Sequence, residues 1–394
     1  MTPQLSIHFV GLKGVPATYG GVEHVVEEIG ARLAARGHRV VVHCREHYTP
    51  AGLTTHRGVF LRREGSIRTK HLDTLTHTVR ALLSAVRERP DVIGLHNYPN
   101  GPLSVIARAA HIPVVLHMHG FEWGLGKWSL LDKAILRMIL IPAARIPTAL
   151  TSVSSMQAEF VRHRTGRSIL HVPNGVSAPA WVEGGGDPTD RLSHVGLERG
   201  GYILCVSRLV PQKGVEHLIR AYRASRLVLP LVIVGDHNHA PEYATMLRRE
   251  AGEDRRIRFL GYRYGDELWS LYAGCRMFVL PSESEGMPLV LLEAMAAHCA
   301  ILACRIPEIE DVGRDCVAYF ALRDERDLRE KLEVLAEDGP RLDDLRKAAV
   351  VRVRRHYRWE QAADAYESLY EALVAGRGSN SGLAGHAGDE RVKS

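Results

Sequence analysis

The 394-residue sequence predicts an α/β protein of two doubly wound domains facing a central cleft, and three observations predict it. Short apolar runs rich in Val and Ile alternate with longer segments of helical periodicity, the pattern of βαβ units and a parallel sheet. The alternation halts once, at Ala178 to Gly200, where Pro179, Pro188 and Gly184-Gly185-Gly186 break regular structure. It then resumes and runs for a similar length. Each half therefore reads as a Rossmann-like unit.

In the first half, strands are expected near Ser6 to Val10, Val40 to His43, Val92 to Leu95, Val114 to His117, Ala149 to Val153 and Ile169 to Val172. The clearest helix is Gly21 to Arg36, where Val22, Val25, Val26, Ile29 and Leu33 recur at helical spacing and Gly37 closes the C-terminus. In the second half, strands are expected near Tyr202 to Ser207, Leu231 to Gly235, Ile257 to Phe259, Met277 to Leu280 and Ala300 to Ala303. A last helical stretch, Glu360 to Leu373, lines up Ala363, Tyr366, Leu369, Tyr370 and Leu373 on one face and needs a surface to pack against. The expected organisation is a first domain 1–178, a linker 179–200, a second domain 201–357, a C-terminal helix 358–375 and a disordered Gly- and Ser-rich tail 376–394.

Composition narrows the class. With 45% hydrophobic and 24% charged residues the chain is an ordered protein. Its six cysteines are scattered among apolar neighbours without a C-x-x-C pair, which points to reduced core thiols in a cytoplasmic protein. No secretion signal is read at the N-terminus, and the apolar segment Leu130 to Leu150 is interrupted by Asp132, Lys133, Arg137, Pro142 and Arg145, so no membrane span is expected. Residues 1–190 hold 21 Lys and Arg against 14 Asp and Glu, whereas residues 191–394 hold 30 against 31. The basic first half lacks the aromatic interleaving of a nucleic-acid binder; an anionic membrane surface or anionic acceptor fits it better, and a solvated surface with chance asymmetry is the alternative.

Three segments carry candidate chemistry. Gly11 to His24, G-L-K-G-V-P-A-T-Y-G-G-V-E-H, leaves a strand and enters a helix, so Gly20 and Gly21 could let backbone N–H groups meet a diphosphate; an ordinary loop is the alternative. Ser207 to Gly214, S-R-L-V-P-Q-K-G, follows the first strand of the second half and would place Arg208 and Lys213 at the crevice of an open α/β sheet, where two cations could neutralise a departing diphosphate unless they are solvated surface charges. Pro281 to Ala296, P-S-E-S-E-G-M-P-L-V-L-L-E-A-M-A, is the most specific, with Glu285 and Glu293 separated by seven residues. A glutamate inside so apolar a helix is costly to bury without partners, and sugar or ribose hydroxyls are suitable ones. Asp236-His237-Asn238-His239 resembles a metal cluster, but adjacent residues seldom converge on one ion, and a loop explains it better. Asp311 and Asp315 read as a pair that caps or decorates a surface helix.

The stretches GGVEHVVEEI, HMHG, VPNGV, VSRLVPQKG, FLGY and PSESEGMPLVLLEAM, in this order from about Leu5 to Leu373, resemble glycosyltransferase family 4, a GT-B family of retaining enzymes. Lys70 to Thr74, K-H-L-D-T, and His119 to Trp123, H-G-F-E-W, resemble a bacterial subgroup that includes rhamnosyltransferases of surface-polysaccharide assembly. The resemblance implies that Gly20 and Gly21 approach a nucleotide-sugar diphosphate and that His119 faces the reacting sugar. It further implies that Arg208 and Lys213 bind the diphosphate, Glu285 the sugar hydroxyls and Glu293 the ribose, with the backbone of Gly286 and Met287 completing the phosphate pocket and Asn174 lining the cleft. His117 lies two positions before His119 and, by strand alternation, on the same face.

The chain has no D-x-D triplet, so no metal and no other cofactor is expected, with Arg208, Lys213 and the Gly20 helix terminus stabilising the leaving group. The expected reaction is transfer with retention through an oxocarbenium-like state, the departing phosphate oxygen taking the proton. The expected partners are a nucleotide-sugar donor and a glycan, lipid-linked or small-molecule acceptor, with the basic segment Lys127 to Arg145 a candidate for peripheral membrane contact or else a buried helix. A small-metabolite acceptor such as an aminocyclitol, a catalytically silent sugar-nucleotide-binding module and a generic NAD-dependent dehydrogenase are the competing readings; the last lacks its G-x-G-x-x-G fingerprint.

Overall fold

A computed structural model of the chain describes residues 4–18, 20–69, 72–120, 130–236 and 241–376. The first lobe is built on β1 (Ser6–Val10), β2 (Arg39–Arg45), β3 (Thr55–His56), β4 (Val59–Glu64), β5 (Val92–His96), β6 (Val114–Met118), β7 (Ala149–Ser152) and β8 (Leu170–His171), in the order β3-β4-β2-β1-β5-β6-β7-β8. Every pairing is parallel except β3 with β4. The second lobe is built on β9 (Ile203–Val206), β10 (Leu231–Val234), β11 (Ile257–Gly261), β12 (Met277–Leu280), β13 (Ile301–Cys304) and β14 (Ala318–Phe320), in the order β11-β10-β9-β12-β13-β14, all parallel.

Both sheets reverse their direction of winding at the centre, between β1 and β5 and between β9 and β12. In an open parallel sheet the loops leaving such strands diverge to opposite faces and open a crevice, which is where a ligand fits. The strands read as buried apolar runs because helices cover both faces; β5, β6, β9, β10, β12 and β13 are buried at every residue.

The helix Trp359–Ala375 follows the second lobe in sequence and packs on the first. Trp359, Ala363, Tyr366 and Tyr370 bury against Leu5, Ile7, Phe9, Val25 and Ile29. Arg36 pairs with Asp364 at 2.7 Å and Glu367 at 2.5 Å, and Arg32 with Glu360 at 2.9 Å. Partly exposed ion pairs contribute little, so the apolar face holds the helix and the charges fix its register.

Four local readings change. Residues 178–200 do contain regular structure, the helices Ala180–Glu183 and Thr189–Ser193, and Val182, Leu192 and Leu197 join the second-lobe core; the prolines start these helices and do not exclude them. The strands β3, β4 and β14, at or next to the sheet edges, escape the pattern because they are short and incompletely buried. In the helix Leu130–Arg145, Leu136, Leu140, Ala143 and Ala144 are core residues while Ile135, Met138 and Ile141 face outward, so the segment is neither wholly buried nor wholly superficial. Among the described residues no helix is long and apolar enough to cross a membrane. Finally, Asp311 does not merely decorate a helix: its Oδ2 accepts from Ser155 Oγ of the first lobe at 2.5 Å. The cluster His237 to His239, Lys70 and His71, Phe121 to Trp123, Lys127 to Ser129 and residues 377–394 lie outside the described residues.

Candidate functional site

The site is assembled from loops at the C-terminal ends of central strands. After β9, Arg208 is exposed and Lys213 closes a short turn, Pro211–Lys213, that ends at Gly214 with φ +60°. A Cβ at Gly214 would collide with the carbonyl oxygen of Pro281, so only glycine lets the β9 loop lie against the loop that follows β12. The Glu283 N–H donates to Gln212 O at 2.9 Å across this seam. The seam delivers Lys213 Nζ to Glu285 Oε1 at 2.5 Å, with side chains 12% and 8% exposed.

Glu293 lies two turns further on, in the helix Leu289–Ala296. Its Oε2 accepts from Tyr272 OH at 2.9 Å. Burial pushes its carboxyl above the usual range, against the opposing pull of His24 from the first lobe and the Tyr272 bond. The half-buried glutamate thus has one oxygen held by the protein. Glu308, after β13, is likewise pushed upward, by burial first and then by the negative charge of Glu285.

The first lobe meets these groups along the whole crevice. His119 follows β6, and a Cβ on Gly286 would collide with its carbonyl oxygen, so the two backbones touch at a point that excludes any side chain. Asn174 donates its N–H to Met287 Sδ at 3.1 Å and its Nδ2 to Met287 O at 3.4 Å, which ties the end of the first lobe to the loop that follows β12. Gly20, at φ +104°, and Gly21 open the helix Gly21–Ala35; Leu289 of the second lobe lies over Gly21. Thr18 O, in the same turn, accepts from Tyr262 OH at 2.7 Å. The turn is braced from beneath, since Glu23 Oε1 accepts from Lys13 N at 3.0 Å and Glu27 Oε2 from Ala17 N at 2.6 Å.

His119 is partly exposed and its imidazole is pushed down to about 4 by burial, so at neutral pH it is an uncharged ring. Lys213, Glu285, Gly286, Met287, Asn174 and His119 therefore form one cluster, and Gly20, Gly21 and Glu293 border it through Leu289 and Tyr262. Arg208 shares the β9 loop with Lys213 but is not in contact with Glu285. Tyr272, His24, Tyr262 and Glu308 also border the cluster, beyond the residues the sequence predicts. His24 and Tyr262 do stand inside the motifs GGVEH and FLGY, whereas Tyr272 and Glu308 carry no sequence signal beyond an ordinary amphipathic helix and a helix start.

Residues 20–175 match the family described as Glycosyl transferase 4-like domain and residues 190–352 the family described as Glycosyl transferases group 1, so the chain carries both domains in tandem. A UDP-Gal:alpha-D-GlcNAc-diphosphoundecaprenol alpha-1,3-galactosyltransferase of Escherichia coli is 29% identical over 246 residues, 59% of this chain and 60% of that protein. A D-inositol 3-phosphate glycosyltransferase of Corynebacterium aurimucosum is 31% identical over 219 residues, 52% of this chain and 51% of that protein. The chain thus spans little more than half the length of these curated relatives. In three dimensions a sucrose-phosphate synthase from Thermosynechococcus elongatus superposes with a TM-score of 0.80 at 18% identity over 95% of this chain and 100% of that one. The Anabaena protein HepE in complex with UDP and glucose does so with a TM-score of 0.77 at 18% identity over 93% and 99%. The fold is the GT-B arrangement of two Rossmann-like lobes across a cleft.

Proposed function

We propose that this tandem of a glycosyl transferase 4-like domain and a group 1 glycosyl transferases domain is an enzyme that moves a hexose or deoxyhexose from a nucleotide diphosphate sugar to a hydroxyl acceptor, with retention and without a metal. The observation that carries the reading is the single cluster in which Lys213 and Glu285 of one lobe lie beside the His119–Gly286 contact with the other. Lys213 and Arg208 supply positive charge where a nucleoside diphosphate would leave, and the backbone N–H groups that open the helix at Gly21 add a partial positive charge from the opposite wall. Glu285, held by Lys213, can accept hydrogen bonds from the hydroxyls of the transferred sugar. Glu293 offers Oε1 to a ribose while Tyr272 keeps Oε2.

His119, pushed down to about 4 by burial, is too weak a base to take the acceptor proton at neutral pH, so that proton passes to the departing phosphate oxygen on the same face of the sugar. Retention follows from attack on the face that the diphosphate leaves. Proton NMR of the product's anomeric centre tests this, and an inverted product defeats the mechanism. Activity that disappears in EDTA and returns with a divalent ion defeats the metal-free reading.

For the acceptor, a lipid-linked oligosaccharide is supported by the diphosphoundecaprenol acceptor in the name of the Escherichia coli relative and by the outward Ile135, Met138 and Ile141 beside Arg137 and Arg145, a surface that suits an anionic membrane. The protein would then work at the inner face of the cell membrane in surface-polysaccharide synthesis. The inositol phosphate in the name of the Corynebacterium relative favours a second reading, a small cyclitol acceptor. A thermal-shift screen against UDP-, GDP- and dTDP-sugars, dTDP-rhamnose included, identifies the donor, because a ligand that binds the native state raises the melting temperature by mass action. Co-sedimentation with anionic vesicles separates the two acceptors.

A further inference from the structure

Behind His119 stands a stack of imidazoles. His96 ends β5, is in register with His117 on β6, and lies between His117 and His119. The His96 and His117 rings are 4.7 Å apart at 27°, and the His96 and His119 rings 5.2 Å apart at 17°. His96 Nδ1 is 2.9 Å from His119 Nε2. The far end of the stack is pinned: His117 Nδ1 meets Thr151 Oγ1 at 2.7 Å, and its Nε2 meets Tyr370 OH, on the returning helix, at 2.9 Å. Tyr366 packs edge-on against the His117 ring at 4.9 Å and 85°. Phe9 closes on His96 from the side at 5.5 Å.

Between two neutral imidazole nitrogens in hydrogen-bond contact, one carries the hydrogen and the other accepts it. The other nitrogen of His96 decides which. His96 Nε2 is buried and without a hydrogen-bond partner among the described residues. A hydrogen on Nε2 would bury an N–H with nothing to receive it, whereas a hydrogen on Nδ1 leaves only an unused lone pair and satisfies His119. We infer that His96 is a positioning residue for the proposed sugar transfer: it donates Nδ1–H to His119 Nε2, and so fixes His119 as the Nδ1–H tautomer and holds its ring in place. His119 then meets the donor sugar as a hydrogen-bond donor and not as a base. Burial keeps all three imidazoles uncharged, so the donor and acceptor pattern survives at neutral pH. The inference rests on the transferase reading for its consequence, but the hydrogen bond can be examined without it.

Long-range ¹H–¹⁵N correlation spectra of the wild-type protein, with His119 assigned by its disappearance in His119→Gln, read the tautomer directly. The expected result is a protonated Nδ1 on His119 and on His96; a protonated Nε2 on His119 overturns the inference. In parallel, His96→Phe keeps a ring in the stack without the hydrogen bond, and His96→Asn keeps an amide where Nδ1 stood. The expected loss in kcat for His96→Phe is roughly ten- to a hundredfold, from a misplaced His119, with donor KM changed by about twofold or less, and His96→Asn recovers most of it. Unchanged kcat in His96→Phe, or equal losses in both variants, overturns it. A wild-type protein that turns over no nucleotide sugar while showing the expected tautomer sinks the transferase reading and leaves the hydrogen bond standing.

Discussion

The two lobes share one winding plan and have opposite interiors. The first buries His8, His38, His43, His77, His96 and His117; one line runs from His8 through His43 to Glu64, and His96 and His117 form the stack behind His119. The second buries hydrocarbon and thiols, with Cys205, Cys275, Cys299, Cys304 and Cys316 among its core residues and all of them free. At the crevice it places an ion pair, in which Lys213 and Glu285 hold each other. The same scaffold has thus been divided by charge. One wall of the cleft presents a neutral ring backed by neutral rings, and the other presents the Lys213–Glu285 ion pair.

This division concentrates the strongly depressed histidines in the first lobe, and its acid sensitivity is the largest effect expected. Burial pushes His8 down to about 3 and His77 and His119 to about 4, from an ordinary 6.5. The unfolded chain therefore takes up protons below pH 6.5 that the folded first lobe refuses until near pH 4 to 3. Stability is whole above 6.5 and drains away as the pH falls through that window. At pH 5 each of the three costs about 2 kcal/mol, about 6 kcal/mol together. In the second lobe the raised carboxyls of Glu293 and Glu308 have the reverse sign, since the folded form keeps protons that the unfolded form releases. Hydrogen exchange at pH 7 and pH 5 should show β1, β5 and β6 losing protection while β9, β10 and β12 keep theirs; equal loss in both lobes breaks the contrast.

Next in size is the attachment of the returning helix. Trp359 is 1% exposed and belongs to the first-lobe core although it follows the second lobe in sequence. Trp359→Ala should cost about 3–5 kcal/mol by leaving a cavity, and urea unfolding followed by lobe-specific exchange should place that cost on the first lobe. Lys213→Ala follows. It removes the cation beside Glu285, and kcat/KM for the donor should fall roughly 10²- to 10³-fold, about 3–4 kcal/mol, as when one preorganised stabiliser of a developing anion is lost. A variant retaining more than a tenth of the wild-type value would move the leaving-group site away from the second-lobe wall.

What could be read from sequence divides along the same line. The two parallel sheets were legible because their strands are buried runs such as Leu231–Val234 and Met277–Leu280, which need no context to be recognised. Strands β3, β4 and β14 were not, since they are short and only partly buried and their place depends on neighbours. In the site, Lys213, Glu285 and Gly286 stand in a contiguous motif with a specific spacing. Tyr272 and Glu308 become site residues only when the second sheet folds, and Glu308 does so through its nearness to Glu285 across a separation that no local pattern encodes. His96 illustrates the limit most plainly: a lone histidine ending an apolar run acquires meaning only when β5 and β6 align in register.

The smallest expected effect probes the seam between the lobes. Besides the bonds of Asn174 with Met287, side-chain hydrogen bonds from Tyr262 OH to Thr18 O at 2.7 Å and from Ser155 Oγ to Asp311 Oδ2 at 2.5 Å cross it. Tyr262 is 46% exposed, so water competes for its hydroxyl, and Tyr262→Phe should cost about 0.5–1 kcal/mol of closure. Ser155→Ala should cost somewhat more, because the acceptor is a carboxylate and such bonds are stronger. Neither residue belongs to the core of its lobe, so both variants should melt within about 2 °C of wild type. The loss should appear in donor release, measured by stopped flow with a fluorescent nucleotide, as a dissociation rate raised about two- to fivefold at an unaltered association rate. If both rates stay at wild-type values, the closed cleft is held by backbone contacts such as His119 against Gly286, and these side-chain bonds only follow.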